Sequence, residues 1–155
     1  MALNARPKTT VKLKADAECP SHSLARISVR DLVFSIDEPV ARGGTNEGPT
    51  PTDTALAALI GCTNVIGNKC ADSLGIEIGH LNISAVCDFD RRGVTLVEEI
   101  DVPFERIYLK VETMAGVSQT DLTRLSEEVA KYCPLSKLFR QAGTIIEEEW
   151  TAKES

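Results

Sequence analysis

Cysteine is the residue type in this sequence best suited to nucleophilic or redox chemistry. The chain has five cysteines, at positions 19, 62, 70, 87 and 133, and a thiolate is a strong nucleophile whose reactivity depends on its pKa. His22 follows Cys19 in a Cys-x-x-His spacing that could bind zinc, but no second ligand pair accompanies it, so a zinc protein is a remote alternative. His80 is isolated, and there is no Ser/His/Asp order or glycine-rich phosphate loop. Any reactive chemistry is therefore expected at the cysteines.

Cys133 has the sequence context of a reactive thiol. It directly precedes Pro134, and proline is favoured in the first turn of a helix, so Cys133 is predicted at the N-cap of a short helix over 134–142. There, free N–H groups and the helix dipole stabilise a thiolate. A pKa lowered by ~2 units from the free value of about 8.5 would leave the thiol mainly ionised near neutral pH. The alternative is an ordinary capping cysteine packed under the preceding helix.

Three further cysteines fall in predicted regular structure. Cys62 lies in an apolar helical segment, where a buried core thiol is the alternative to a reactive one. Cys70 lies eight residues later, ~12 Å along the same helix, which excludes a disulfide between Cys62 and Cys70. Cys87 faces the core from a predicted strand and is expected to be inert. A redox partner for Cys62 must come from another element.

Composition limits the class of protein. The 155 residues, 43% of them hydrophobic, suffice for one domain over 1–155 with its own core. Lys and Arg number 17 and Asp and Glu 23, a net charge of −6, which argues against nucleic acid as a partner. The longest apolar run, 55–62, is too short to cross a bilayer, so no membrane partner is expected. No apolar run follows the basic N-terminal residues, and the cysteine count is odd, so reduced thiols in the cytoplasm are expected.

The first half of the chain is predicted to contain strands, a loop and one long helix. Residues 1–20 are predicted to be a loose arm or an edge strand, and residues 23–36 alternate as a strand pair or one bent strand. A loop over 37–53 leads to a helix that is capped by Thr52 or Asp53 and ends near Leu74, with Gly75 as its stop. The first half of the helix is apolar on every side, so we expect it to be fully buried. Its length of ~33 Å is close to the width of such a domain and indicates a second subunit.

The second half of the chain alternates between strand and helix patterns. Strands are predicted over 81–89, 95–100, 106–113 and 145–150, with a hairpin turn at Arg91 to Gly93. A helix capped by Ser118 or Thr120 is predicted to end before Pro134, and the short helix over 134–142 follows. This order of elements predicts an α+β domain.

Two segments resemble one known family. The sequences GPTPTDTALAALIGC and KYCPLSKL are together similar to the osmotically inducible protein C and organic hydroperoxide resistance (OsmC/Ohr) superfamily, and the resemblance extends over 29–150. It implies two long central helices packed with antiparallel β-sheets, in an intertwined homodimer with sites at the subunit interface. It implies no metal or prosthetic group.

The resemblance also implies an activity. Active members of the family are thiol peroxidases that reduce organic hydroperoxides. By position, Cys62 corresponds to the peroxidatic cysteine and Cys133 to the resolving cysteine that captures its sulfenic acid as a disulfide. A lipoylated protein or a small dithiol returns the electrons in this family.

One position departs from the hydroperoxide-resistance branch. That branch has a Glu ten residues before the first cysteine, paired with an Arg from an N-terminal strand, and here the position is Thr52. Asp53 matches an acidic position in other OsmC-like branches, and the alternative is that it only caps the helix. On a straight helix Asp53 points away from Cys62. The candidate arginines are Arg30, Arg26 and Arg42, each of which could simply be exposed, and Glu47 is another loop carboxylate that could take part.

Two functions therefore remain open. The first is a cytoplasmic peroxidase acting on organic hydroperoxides through Cys62 and Cys133. The second is a non-catalytic dimer that binds a small apolar or thiol-reactive ligand in the same interface pocket. Thr52 in place of Glu favours the binding module, whereas the presence of both cysteines favours the peroxidase.

Overall fold

The computed structural model describes residues 9–153, which form two compact units that divide between Thr54 and Ala55. Residues 1–8 of the predicted N-terminal arm lie outside the described range. The assignment of residues 1–155 to one domain stays a prediction. Across residues 9–153, no helix combines the length and apolar character needed to cross a bilayer.

The first unit contains a small antiparallel sheet. Its strands are β1 (Asp16–Glu18), β2 (Ala25–Val29) and β3 (Leu32–Ile36), in the order β1-β2-β3. The predicted strand pair is confirmed, and β1 lies at the edge of the sheet. Arg30 was predicted to be a strand residue and is instead in the two-residue turn between β2 and β3, with a φ of 58°. A tight hairpin turn requires a positive φ, which a strand residue does not adopt. Strand β2 therefore ends at Val29, before Arg30.

A buried carboxylate organises the loop that follows the sheet. Asp37 has no solvent-exposed surface. Its carboxylate accepts hydrogen bonds from the Thr45 hydroxyl (2.6 Å) and from the backbone N–H groups of Glu38 (2.8 Å), Thr45 (2.9 Å) and Glu47 (3.1 Å). The Thr45 hydroxyl, with support from these N–H groups, holds the pKa of Asp37 well below its ordinary value. The predicted loop is therefore ordered, and it includes a 3-10 turn at Val40–Arg42.

Helix α1 spans Pro51–Leu74, and Thr50, rather than Thr52 or Asp53, is its cap. The Thr50 hydroxyl accepts from the N–H of Asp53 (3.1 Å) and donates to its carboxylate (2.7 Å). This is a capping box, with Pro51 in the first helical position that proline favours. The predicted end at Leu74 is confirmed, and Gly75 follows with a φ of 70°.

The prediction that the first half of α1 is fully buried is wrong for the chain as described. Of residues 55–62, Leu59 is fully buried, whereas Ala57, Ala58 and Gly61 are exposed. Val65, one turn further on, is 50% exposed. The helix packs one side on the core and presents small residues on the other.

The second unit contains a mixed sheet. Its strands are β4 (Leu81–Phe89), β5 (Phe104–Thr113) and β6 (Ile145–Ala152), in the order β4-β5-β6. The predicted bounds of β4 are confirmed. The pair β4–β5 is antiparallel, as expected, but β5–β6 is parallel. A parallel pair needs a crossover connection, and here helices provide it.

The strand predicted over 95–100 is absent, and residues 90–103 form a loop. Because Phe89 pairs with Phe104, the ladder continues directly into β5 and leaves these residues without a partner strand. Arg92 donates to Asp90 and Glu98 and holds the loop. Leu96, with a φ of 59°, is 92% exposed. The alternation in the sequence was therefore misleading at this point.

Two helices make the crossover from β5 to β6. Helix α2 spans Gln119–Tyr132 and is capped by Ser118, and α3 spans Pro134–Gln141. The core lies between the inner face of the sheet and the helices; its buried members include Leu59, Ile107, Val111, Leu122, Leu125, Val129, Cys133, Phe139, Ile146 and Trp150. The observed architecture confirms the α+β class.

Candidate active site

The structure brings two of the cysteines into contact. The Sγ atoms of Cys62 and Cys133 are 3.1 Å apart, and the Cys133 thiol donates to the Cys62 sulfur. Cys62 lies in the middle of α1, and Cys133 lies between α2 and α3. The contact therefore joins residues 71 positions apart in the chain. The two sulfurs need to move only a little closer to reach the S–S distance of about 2.05 Å in a disulfide.

Both neighbouring helices fix the position of Cys133. Its backbone N–H donates to the Val129 carbonyl at the end of α2 (2.8 Å), and its carbonyl accepts from Lys137 in α3 (3.0 Å). Its side chain caps α3, as predicted, because Sγ accepts from the N–H of Ser136 at 3.4 Å. Pro134 occupies the first turn of α3. The backbone of Cys133 is thus hydrogen-bonded to both helices.

The predicted lowering of the Cys133 pKa is wrong. Cys133 has no exposed surface, and burial raises the pKa of its thiol to about 11, while the Ser136 N–H opposes the rise less strongly. Desolvation disfavours a thiolate more than one N–H group at 3.4 Å stabilises it. At neutral pH Cys133 is therefore a thiol, which matches its role as hydrogen-bond donor to Cys62.

Cys62 is half-buried and has apolar neighbours on its own helix. Leu59, one turn before it, belongs to the buried core together with Cys133, and Ile66, one turn after it, packs against that core as Cys62 does. Ile60 is half-buried, and Val65 is exposed. Cys62 is thus a half-buried residue that packs against the apolar core.

Ser136 also belongs to the site, although the motifs do not single it out. Its side chain is 3% exposed, and its N–H bonds to Cys133 while its hydroxyl accepts from Arg140 Nε at 3.2 Å. The sequence feature that could have identified Ser136 is its position three residues after a predicted N-cap, where the N–H group faces the capping atom.

Asp53 is engaged at the start of α1. Its carboxylate accepts from the hydroxyl and the N–H of Thr50 at 2.7 and 3.4 Å. The Thr52 hydroxyl lies 3.0 Å from that of Thr50. Asp53 is therefore the partner of the Thr50 cap in the capping box rather than the cap itself.

The three candidate arginines differ in their contacts. Arg26 pairs with Glu47 at 3.6 Å, and Arg42 pairs with Glu38 at 3.0 Å. Arg30 is exposed in its hairpin turn. All of them lie in the first unit, whereas Cys62 and Cys133 lie in the second.

The remaining cysteines are Cys19, Cys70 and Cys87, which lie outside the contact between Cys62 and Cys133. Burial, followed by nearby carboxylates, raises the pKa of Cys70 and of Cys87. Cys19 and His22 are exposed. Within residues 9–153, no group of three or more His, Cys, Asp or Glu side chains is placed to hold a metal ion.

Comparison with known proteins identifies the family. The family model for OsmC-like proteins matches residues 44–149, more than half of the chain and including both cysteines of the site. The chain therefore belongs to the OsmC-like protein family. A search of curated proteins finds no match.

Solved structures of the family share the fold. An OsmC-like protein from Mycoplasma pneumoniae is 19% identical, with a TM-score of 0.76 and coverage of 93% of this chain and 99% of that one. An organic hydroperoxide resistance protein OsmC from Legionella pneumophila is 15% identical (TM-score 0.67; coverage 95% and 100%). The organic hydroperoxide resistance protein OhrB of Bacillus subtilis is 22% identical (TM-score 0.65; coverage 90% and 98%). At these identities the similarity establishes the fold alone.

Proposed function

We propose that this protein is a thiol-dependent peroxidase that reduces organic hydroperoxides through Cys62 and Cys133. The observation that supports this most directly is the 3.1 Å contact between the two sulfurs. A core thiol pair needs no such contact for packing, whereas a peroxidase needs a second thiol at disulfide distance. Two of the structural neighbours described above are named as organic hydroperoxide resistance proteins.

The proposed reaction has two steps at these residues. The thiolate of Cys62 attacks the peroxide O–O bond, so that Cys62 becomes a sulfenic acid; the alkoxide that leaves takes up a proton from solvent and becomes an alcohol. The Cys133 thiol then attacks the Cys62 sulfur; the S–S bond forms as the S–O bond breaks, and the thiol proton leaves with the hydroxyl as water. A protonated Cys133, as its raised pKa implies, supplies that proton within the site.

The remaining parts of the proposal concern the partners. The disulfide returns to two thiols when an external dithiol, either a small molecule or a lipoylated protein, is oxidised in exchange. The functional unit is a homodimer, and the exposed small residues of α1 are suited to close packing against a second helix. The proposal places the protein in the cytoplasm.

The test is to map which thiols a peroxide consumes. The reduced protein is mixed with one equivalent of cumene hydroperoxide or of hydrogen peroxide, and peptide mass spectrometry follows each cysteine. We expect a Cys62–Cys133 disulfide that forms faster with the organic peroxide. Cys62→Ser should abolish peroxide consumption, and Cys133→Ser should leave Cys62 as a sulfenic acid that a dimedone probe traps.

Cys19→Ser is the matched control because it removes an exposed thiol outside the site, and it should behave like the unmodified chain. Survival of both site thiols, or reaction no faster than that of free cysteine, would contradict the peroxidase proposal.

A second candidate function is a non-catalytic dimer that binds a small apolar or thiol-reactive ligand. The observation in its favour is that Thr52 stands where the hydroperoxide-resistance branch has Glu, while the Asp53 carboxylate is engaged by Thr50. The same experiment separates the two candidates, because a binding module would leave both thiols reduced.

A further inference from the structure

A chain of hydrogen bonds leads from Cys133 to the sheet of the second unit. The N–H of Ser136 donates to Cys133 Sγ, and Arg140 Nε donates to the Ser136 hydroxyl. Arg140 Nη2 then lies 3.2 Å from Glu148 Oε1, and the other Glu148 oxygen accepts from the indole of Trp150 at 2.9 Å. The chain connects the N-cap of α3 with strand β6.

The two ends of this chain are buried and its middle is partly exposed. Ser136 is 3% exposed and Trp150 6%, while the Glu148 side chain is 13% exposed and that of Arg140 is 40%. The Arg140–Glu148 pair alone is therefore worth little stability, because exposed ion pairs are screened by solvent. Its geometry is more informative, because a guanidinium can bond to a hydroxyl and a carboxylate at once through different nitrogens.

Helix α3 is short, and its orientation determines where Cys133 points. With eight residues it has few helical hydrogen bonds of its own. Its first turn holds Cys133 Sγ through Ser136, and its last turn is tied to β6 through Arg140. A rotation of α3 would therefore move Sγ relative to Cys62, on which disulfide formation depends.

We propose that Arg140 and Glu148 are positioning residues that hold Ser136, and through it Cys133, in the geometry for capturing oxidised Cys62. This inference rests on the proposed peroxidase function and concerns its second step. A displacement of about 1 Å between reacting groups can slow a reaction by as much as ~100-fold. Because Arg140 is partly exposed, we expect a smaller effect of about tenfold on disulfide formation, with little change in the first oxidation of Cys62.

The experiment measures the attack of Cys133 without using a peroxide. Ellman's reagent converts Cys62 to a mixed disulfide and releases one thionitrobenzoate; Cys133 then attacks the Cys62 sulfur and expels the second. The second phase is intramolecular, so its rate does not depend on reagent concentration. It is followed at 412 nm in a background of Cys19→Ser, Cys70→Ala and Cys87→Ala, in which Cys62 and Cys133 are the two cysteines of the chain.

The expected result is a slower second phase with an unchanged first phase. Arg140→Ala and Ser136→Ala should each slow the second phase about tenfold, and the double variant should be no slower than either, because both break the same chain. The second phase should also be slow in Arg140→Lys, because one ammonium cannot reproduce the geometry with which the guanidinium contacts both Ser136 and Glu148. Arg106→Ala is the matched control, since it removes an ion pair with Glu147 on the opposite face of β6.

The other outcomes contradict either the positioning inference or the proposed function. A second phase at the unmodified rate in Arg140→Ala would overturn the inference, as would equal slowing in Arg106→Ala or additive slowing in the double variant. If the background chain does not fold, peptide mass spectrometry of the five-cysteine protein after Ellman's reagent gives the same comparison. Failure of Cys62 to react with peroxide would contradict the proposed function, while the thionitrobenzoate rates would still test the positioning of Cys133.

Discussion

Asp37 and Cys133 are both ionisable groups without exposed surface, yet burial leaves them in opposite states. The pKa of Asp37 lies well below its ordinary value, whereas that of Cys133 is raised to about 11. Asp37 accepts four hydrogen bonds, from Thr45, Glu38 and Glu47. Cys133 accepts one, at 3.4 Å, from Ser136.

The difference shows that hydrogen-bond donors decide whether burial lowers or raises the pKa of the group relative to its ordinary value. Four donors replace the water that Asp37 loses, so the anion is stable. A single long hydrogen bond does not replace that water for Cys133, so the neutral thiol is the stable form. One group is built to hold a charge and order a loop, and the other to keep a proton next to Cys62.

The largest expected effect comes from placing a carboxylate at the thiol position. Cys133→Asp would bury an anion with one N–H donor, so we expect the free energy of unfolding at pH 7 to fall by about 3 kcal/mol or more. Urea unfolding measures the loss, which should shrink at pH 4, where the carboxyl is protonated. Cys133→Ser, with a favoured capping residue, is the control. Equal stability of the two variants would show that this site can solvate a charge.

The second prediction concerns the reactivity of Cys133. With a pKa of about 11 in the folded protein and about 8.5 in the unfolded chain, its thiolate fraction at pH 8 is lower by roughly 200-fold in the folded state. Alkylation by iodoacetamide, followed by peptide mass spectrometry with and without urea, should show at least this difference. Rapid labelling of Cys133 in the folded protein would contradict its burial as a neutral thiol.

The third prediction is that Asp37 lowers the stability of the protein at acid pH, whereas Cys133 lowers it at alkaline pH. The folded-state pKa of Asp37 is lowered, so its stabilising contribution is present above about pH 4 and lost as the pH falls below that value. The folded-state pKa of Cys133 is raised, so its contribution is complete below about pH 8.5 and lost as the pH rises towards 11. Melting curves from pH 3 to 11 should show both losses. Asp37→Asn should flatten the acid side and Cys133→Ser the alkaline side.

The smallest expected effect comes from removing one of the four donors. Thr45→Val removes the 2.6 Å hydroxyl bond to Asp37 and leaves the three N–H groups. The folded-state pKa of Asp37 should rise towards its ordinary value, so the acid loss of stability should be smaller than in the unmodified chain but larger than in Asp37→Asn. NMR titration of the Asp37 carboxyl measures the shift directly. No shift would mean that the N–H groups alone hold the anion.

Local patterns in the sequence were sufficient for much of the fold. The alternation in β4 gave both of its ends, Gly75 marked the end of α1, and Pro134 placed Cys133 at a helix N-cap. Each of these depends on neighbours in the chain. The 95–100 segment failed because alternation cannot show whether a partner strand is present, and the parallel pairing of β6 depends on the crossover rather than on the strand itself.

The site was only partly predictable for a related reason. The motifs singled out Cys62 and Cys133, but their contact joins distant parts of the chain. The pKa of Cys133 could not be predicted, because the N-cap position suggests stabilisation of a thiolate while the burial that outweighs it arises from packing. Arg140 and Glu148 carry no local signal beyond the spacing of Ser136 and Arg140 by one helical turn.

The place of β6 after α2 and α3 in the chain affects the order in which the site can form during synthesis. Strand β6 leaves the ribosome after both helices and supplies Glu148 and Trp150, to which α3 is tied. During synthesis Cys133 is therefore available before the strand that anchors its helix exists. Trp150 is the single tryptophan of the chain, so the change in its fluorescence reports the moment at which that anchoring is complete.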